Sequence, residues 1–505
     1  MVNYQFTEGT ICAPATIPGT GAISIIRVSG KEALAIADKI IDLKGESLSE
    51  TEGYRLRYGT VFGADGSVLD NVIVSVFRAP HSYTGENSVE ISCHASRFIV
   101  NAILELLVNA GARIAAPGEF TRRAFVNGKM DLAQAEAVAD VIASQSAASH
   151  RVAMNQLKGG FSSELKVLRD KLLKMTSLLE LELDFSEEDV EFASRSELGT
   201  LVNEALSHIG RLTDSFSRGN AIKNGVPVAI VGATNTGKST LLNALLGEER
   251  AIVSDIAGTT RDTIEETLNL DGVLFRFIDT AGIRETDEVV EKIGIERTFK
   301  KLDEASIVLG MTDLSRGENS VLADAEYIWD KVNASSSVQE FLLLVNKCDV
   351  DESESVMAGE GHVAGYAGTG FTETGSGAGS ADKAGKMARI GAALREKGIS
   401  AKLIPISAKT GYGLTVLTEA LAEIGRRITG DTDETLVTNI RHYEALVRAA
   451  TALGRVRDGL QVATLPPDLI AQDLREALYH LGEIVGEIST EEVLGNIFRN
   501  FCIGK

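Results

Sequence analysis

The chain has 505 residues, a formal charge of -21 and four cysteines. At roughly 100–200 residues per domain this allows two to four separate cores and excludes a small stapled scaffold. Cys12, Cys93, Cys348 and Cys502 have no paired spacing, the N-terminus has no basic region leading into an apolar stretch, and no run approaches the roughly 18 apolar residues that cross a bilayer. The expectation is therefore a soluble, cytoplasmic protein without a disulfide framework, a zinc knuckle or a membrane partner.

From Thr10 to about Ser92 the runs ISIIRVSG, YRLRYGTVF, NVIVSVF and SVEISCH are β-branched and separated by turn residues, while helical signals are sparse. This predicts a strand-rich N-terminal segment over 1–120. After Glu119, RRAFVNGKMDLAQAEAVADVIAS is rich in helix formers, and Leu165, Leu168, Leu172, Met175 and Leu179 recur at helical spacing. Near Gly225 the texture switches to strands alternating with helices: VPVAIVG, KSTLLNALLG, LFRFIDTAG, ASIVLGM, EFLLLVNK and KLIPIS. These strands are apolar throughout, as in a parallel sheet covered on both faces. Past Ile428 helical spacing returns at Leu474, Leu478, Leu481 and Val485. The expected architecture is multidomain α/β: an α+β segment over 1–120, a discontinuous helical domain over 121–220 and 432–505, and an inserted unit with a mostly parallel sheet over 221–431. From Gly359 to Gly385 nine glycines occur in 27 residues, against an average content of about 7%. Such a stretch buries too little apolar surface to offset its ordering entropy, so a flexible insertion is expected at about 353–387.

The inserted unit carries the chemistry. GATNTGKST, Gly232 to Thr240, fits the phosphate-loop pattern and sits between an apolar strand and a helix, as that pattern requires. Backbone N–H groups over Asn235, Thr236, Gly237, Lys238, Ser239 and Thr240 can point at phosphates. Lys238 neutralises the terminal ones, and the Ser239 hydroxyl can ligate Mg²⁺. DTAG follows at Asp279, Thr280, Ala281 and Gly282, with a carboxylate able to reach magnesium through water and a flexible N–H for the γ-phosphate. NKCD supplies Asn346, Lys347 and Asp349, whose carboxylate can accept both donors of a guanine edge, and Ser407, Ala408 and Lys409 support the base. A site built around such donors can reject analogues lacking them by on the order of 10⁴–10⁵. Between these motifs, Ser254, Asp255, Ile256, Ala257, Gly258, Thr259 and Thr260 form a turn-rich segment, with Thr260 the expected second Mg²⁺ ligand. Ile283 stands after DTAG, where GTPases of the Ras type place a water-orienting glutamine, so another group must orient water. A GTP-hydrolysing enzyme is expected.

The negative charge argues against a polyanion partner, although Arg122, Arg123 and Lys129, or Arg441, His442 and Arg448, offer a local basic patch. The alternative is an ordinary solvated surface.

Together with HSYTGENSVEISCH at 81–94, PGEFTRRAFVNGKMDLAQAEAV at 117–138, AIVSDIAGTTRDTIEE at 251–266, DTAGIRETDEVVEKIGIER at 279–297 and the terminal FCIGK at 501–505, these motifs resemble the tRNA modification GTPase family known as MnmE or TrmE, of the TrmE–Era–EngA–YihA–Septin-like class. The resemblance runs over nearly the whole chain. It implies an N-terminal domain of tetrahydrofolate-binding type that also carries a homodimer contact, and an inserted Ras-like GTPase domain. It implies hydrolysis assisted by K⁺ at Asn235, Ser254, Ile256 (through its carbonyl) and Thr259 when two such domains pair, with Glu291 orienting the attacking water. Arg27, Glu90, Lys129 and Lys505 match folate-contacting positions for 5,10-methylene- or 5-formyl-tetrahydrofolate, and Cys502 matches a cysteine needed for modification. The implied partners are tRNA and a FAD-dependent protein, MnmG or GidA, in a heterotetramer or larger complex that modifies carbon 5 of the wobble uridine. A purely regulatory or ribosome-assembly G protein is the rival reading, and it has no use for FCIGK or the folate-like residues. Two departures from the pattern stand out: Thr234 stands where the family usually has proline, and His94-Ala95-Ser96 stands for HGG.

Overall fold

The structure, a computed structural model, describes residues 9–63, 65–184, 195–248, 266–278, 302–335, 338–349, 378–430, 434–461, 466–488, 491–499, 501 and 504. The chain divides into two compact units, one formed by 1–143, 151–215 and 435–505, the other by 144–150 and 216–434.

The first unit opens with β1 (Ile11–Pro14), β2 (Ile23–Ser29), α1 (Ala33–Ile40), β3 (Ile41–Asp42), β4 (Arg55–Phe62), β5 (Val68–Phe77), β6 (Ser88–His94), α2 (Arg97–Asn109) and β7 (Arg113–Ile114). The strands make one sheet in the order β3-β4-β5-β6-β2-β1-β7. Its four longest strands pair antiparallel, and β7 joins β1 in parallel. Alternation along β5 decides the sidedness: Val72, Val74 and Val76 are fully buried, whereas Ile73 points outward. The inward face packs with Ile36 of α1 and with Ile103 and Leu107 of α2. Helix α1 was not anticipated by the strand-rich reading of 10–92; ALAIADKI supplies helix formers with one buried side, too short a stretch to stand out by periodicity.

Helices α3 (Glu119–Val126), α4 (Leu132–Ala143), α5 (Ala147–Leu157), α6 (Gly160–Asp184) and α7 (Arg195–Asp214) follow. In α6 the expected leucine face is the buried one, with Leu165, Leu168, Leu172 and Leu179 all inside. Three of the six basic groups considered for a surface patch, Arg123, Arg441 and His442, lie against carboxylates inside the fold. Arg441 forms a two-pronged pair with Glu136 of α4, Nε to Oε1 at 3.0 Å and Nη2 to Oε2 at 2.8 Å, and His442 Nε2 lies 2.7 Å from the same carboxylate. His442 is 2% exposed and stacks on Phe161. Arg441 also donates to the carbonyls of Glu483 and Ile484. Arg123 is buried between Glu86 and Glu119. Charge pairing inside the fold thus takes up groups that a one-dimensional count leaves on the surface; Arg448 and Lys129 are exposed.

In the second unit come α8 (Phe216–Asn224), β8 (Val226–Gly232), α9 (Lys238–Glu248), β9 (Glu266–Leu270), β10 (Val273–Ile278), β11 (Ile307–Asp313), α10 (Glu318–Ala334), β12 (Glu340–Asn346), α11 (Ala378–Glu396), β13 (Lys402–Pro405) and α12 (Leu414–Thr429). The strand order is β13-β12-β11-β8-β10-β9, parallel except for the β9 edge, which runs antiparallel to β10. Cores on both faces of the sheet explain its uninterrupted apolar strands. The expected glycine-rich insertion overlaps α11: residues 378–387 are helical, because Ala378-to-Met387 already mixes alanine and lysine among the glycines, and 353–377 lie outside the described residues. Back in the first unit, α13 (Ile440–Gln461), α14 (Pro467–Val485) and α15 (Glu491–Arg499) complete the chain, with Leu474 and Leu481 fully buried. Among the described residues no helix is long and apolar enough to cross a membrane.

Candidate functional site

In open parallel sheets ligands bind beyond the carboxyl ends of the strands, and the carboxyl ends of β8, β12 and β13 each deliver a piece of the expected nucleotide site, while the DTAG piece after β10 lies outside the described residues. The loop after β8 turns into α9 through Asn235, at φ +59°, and Gly237, at φ +99°. A Cβ on Gly237 would stand 2.4 Å from Asn346 Nδ2, so the close approach of two loops, as well as the φ value, requires glycine there. Thr236 is fully buried and its hydroxyl donates to the Ala233 carbonyl at 2.8 Å. The Lys238 ammonium donates to the carbonyls of Gly232 and Ala233 at 2.9 and 2.8 Å, and burial lowers its pKa. A half-buried cation held by two neutral carbonyls is an arrangement that an incoming anion would relieve. Ser239, the second residue of α9, is half-buried and Thr240 is exposed.

Asn346, at the end of β12, joins two loops with one amide. Its Nδ2 donates to the Thr236 carbonyl at 2.7 Å, and its Oδ1 accepts from the Ala408 N–H at 3.0 Å. Ser407 is buried; its hydroxyl accepts from the Thr410 N–H at 3.2 Å. Lys347 adopts φ +63°, and its ammonium donates to Asp313 Oδ2 at 2.7 Å. Asp349 is half-buried beside them and Lys409 is exposed. Asp313 lies opposite Asn346 in the β11–β12 register, 3% exposed. Burial by itself would raise the pKa of its carboxyl, but hydrogen bonds from Lys347 and Ser315 outweigh that and hold it below the usual range. Ser254, Asp255, Ile256, Ala257, Gly258, Thr259, Thr260, Asp279, Thr280, Ala281, Gly282 and Glu291 lie outside the described residues.

In the first unit, Arg27 of β2 and Glu90 of β6 are register partners, and the guanidinium meets Glu90 Oε1 at 2.9 Å. Arg27 lies over the rings of Tyr83 and Phe120, 5.1 and 5.6 Å from their centroids. Its Nη1 reaches the Gly504 carbonyl at 3.5 Å. Gly504, at φ +100°, packs so tightly on the end of β1 that a Cβ would stand 2.0 Å from the Pro14 carbonyl oxygen. The structure therefore brings the C-terminal end of the chain to the Arg27–Glu90 pair, though Cys502 and Lys505 lie outside the described residues. Lys129 contacts a different group, donating to the Pro80 carbonyl at 3.0 Å. At the departure from HGG, His94 is fixed by Asp70, whose carboxylate accepts from the His94 N–H at 2.8 Å and lies 2.7 Å from Nδ1.

A family model described as the TrmE N-terminus of GTP-binding proteins matches residues 10–129, and one described as the MnmE helical domain matches 132–502. The chain is 50% identical over 98% of its length to all of the tRNA modification GTPase MnmE of Parabacteroides distasonis. The chain belongs to the MnmE family of tRNA modification GTPases. The protein of that name from Bacteroides fragilis is 49% identical over 99% of this chain and 100% of its own, and that of Flavobacterium johnsoniae 46% over the same shares. A solved GTP-binding protein of Sulfolobus solfataricus in complex with GDP is similar over 52% of this chain and 67% of its own, at 16% identity and a TM-score of 0.28, too slight a likeness to argue from.

Within this MnmE-family chain, two residues beside the site escaped the motif reading. Asp313 anchors the lysine of NKCD, and Arg316 donates to the Thr234 carbonyl at 3.2 Å. The available signal was an aspartate closing an apolar strand, TDLSRG, at the end of the sheet where ligands bind.

Proposed function

We propose that this protein is a cytoplasmic GTP hydrolase whose turnover serves modification of carbon 5 of the wobble uridine in certain tRNAs. The observation that carries the reading is the double tie of Asn346, which couples the loop of the phosphate pattern to the loop of the base pattern, in a chain similar along its whole length to tRNA modification GTPases. Once nucleotide enters, Lys238 exchanges its two carbonyls for phosphate oxygens, and the amides from Asn235 to Thr240 converge on the same charge. Asp349 accepts from the guanine edge, while Asn346 keeps that edge at a fixed separation from the phosphates.

Ser239 and Thr260 are the residues that would hold Mg²⁺, and Asn235, Ser254, Ile256 and Thr259 those that would hold K⁺; bound there, the cations would offset charge developing on the phosphates. The half-buried position of Ser239 directly after Lys238 suits such a donor set. Glu291 orients the attacking water, a task Ile283 cannot perform. Two copies of the inserted unit pair during hydrolysis, within a homodimer. Arg27, Glu90, Lys129 and Lys505 bind 5,10-methylene- or 5-formyl-tetrahydrofolate as one-carbon donor, and Cys502 acts in modification with tRNA and a FAD-dependent MnmG (GidA) partner in a heterotetramer or larger complex. The proximity of Gly504 to Arg27 supports this grouping of the chain end with the folate candidates.

Wobble nucleosides from a strain lacking the gene, analysed by mass spectrometry, should lose the aminomethyl or carboxymethylaminomethyl uridine and regain it on complementation. An unchanged profile would remove the tRNA half of the reading. Purified protein should hydrolyse GTP faster in K⁺ than in Na⁺ at equal ionic strength; equal rates would remove the potassium assignment.

A further inference from the structure

Arg316 sits on the short turn after β11, outside every motif named above, and yet touches the phosphate loop. Its Nη2 donates to the Thr234 carbonyl at 3.2 Å. The turn is held by Asp313, whose Oδ1 accepts from the Ser315 N–H at 2.9 Å and from its hydroxyl at 2.6 Å, and Asp313 Oδ2 stands 3.9 Å from Arg316 Nε. The guanidinium is thus aimed by the same buried carboxylate that holds Lys347.

The consequence follows from peptide geometry. In a planar trans peptide the C=O and the following N–H point in opposite directions. Pulling the Thr234 carbonyl outward therefore turns the Asn235 N–H the other way, and the Asn346 bond to the Thr236 carbonyl does the same for the Gly237 N–H. Asn235 sits at φ of +59°, a left-handed conformation that asparagine adopts more readily than most residues with a Cβ, and the brace fixes the peptide on its N-terminal side. Further ties come from within the loop: Lys238 bonds the carbonyls of Gly232 and Ala233, and Thr236 bonds Ala233. Those of Lys238 are the ones an arriving phosphate would take away. The bond from Arg316 approaches from another element and needs no such exchange.

We propose that Arg316 is a positioning residue that fixes the 234–235 peptide with the Asn235 N–H turned toward the nucleotide phosphates. Its substrate-side partner is the phosphate chain of a guanine nucleotide, and the proposal rests on the nucleotide reading above. Arg316 itself touches no nucleotide. Its exposed position means that truncation removes the brace without opening a core.

The test uses the full-length protein and its Arg316→Ala and Arg316→Lys variants, with affinities for GDP and for inosine diphosphate and the unfolding temperature of each. Arg316→Ala should bind GDP about tenfold more weakly, which corresponds to roughly 1.4 kcal/mol. Its preference for GDP over inosine diphosphate should be unchanged, because the brace acts on the phosphate side, and its unfolding temperature should stay within about a degree, as for most surface substitutions. Arg316→Lys should recover part of the loss, since it keeps the charge but lacks the planar fork. Wild-type GDP affinity retained in Arg316→Ala would overturn the proposal, and so would a change in base preference as large as the change in affinity, or a several-degree fall in unfolding temperature. Failure of the wild-type protein to bind GDP would overturn the nucleotide reading instead.

Discussion

The two candidate sites are built on different principles. At the ends of β8, β12 and β13 the shape of the site is carried by backbone: Thr236 and Asn346 hold carbonyls of the first loop, and Asn346 also accepts from the Ala408 N–H. At the first sheet it is carried by side chains, and Arg27 and Glu90 neutralise each other across two strands. A backbone site has a fixed shape before its ligand comes, whereas a ligand at an ion pair must share or displace a partner already in place. The first kind should fail abruptly when its geometry is disturbed, and the second gradually.

The largest effect is therefore expected at Gly237. A methyl group there meets Asn346 Nδ2 at 2.4 Å with the backbone at φ +99°, so Gly237→Ala must open the contact between the two loops. GTP affinity measured by calorimetry should fall by at least about 10³-fold, or roughly 4 kcal/mol, while circular dichroism stays native. Affinity within tenfold of wild type would mean that the loops are not rigidly coupled.

Glu136 supplies a control for charge pairing with no ligand role. Burial pushes its carboxyl pKa up, but His442 and Arg441 more than offset this and hold it at about 2, against 4.5 ordinarily. A depressed carboxyl pKa stabilises the fold above the unfolded value and is lost as pH falls through the folded one. That window is about pH 4.5 down to about 2, and the stabilisation lost across it is about 3 kcal/mol at 1.36 kcal/mol per unit. Glu136→Gln should lower the unfolding temperature of the first unit near neutrality, and its gap from wild type should narrow as the pH drops through that window. A gap independent of pH would show that the carboxylate is not the source.

How much of this was legible depends on the same distinction. The turns after β8 and β12 could be read directly, because their spacing relative to apolar strands fixes where the backbone must turn; Gly237 lies in the first turn and Asn346 closes the strand before the second. The strands ISIIRVS and VLDNVIVSVF announced themselves by β-branching, though alternation alone could not say which face was covered. Arg441 and His442 could not be read, since their partner Glu136 lies about three hundred residues away in sequence and no local pattern marks the pairing. Arg316 was invisible for the same reason: its acceptor is a carbonyl, which every residue has. The overlap of α11 with the glycine-rich stretch shows composition setting a boundary too late, because alanine and lysine regain helical propensity before the last glycine is passed.

The smallest effect is expected at the ion pair itself. Glu90→Gln keeps the shape of the side chain and a hydrogen-bond acceptor for Arg27, so the sheet should fold unchanged, with Arg27 still packed over Tyr83 and Phe120. What is lost is the carboxylate that a pterin's ring donors would need, and charged hydrogen bonds are roughly twice as strong as neutral ones. Tetrahydrofolate affinity should weaken by about tenfold, near 1.4 kcal/mol, with GTP hydrolysis in the other unit unaffected. Lys129, whose ammonium donates to the Pro80 carbonyl, gives the comparison: Lys129→Ala should weaken the same affinity by less, about threefold. Equal losses at both positions would mean that the bound ligand draws Lys129 and Glu90 into one site. No loss at Glu90 would leave the Arg27–Glu90 pair as a cross-strand support of the sheet.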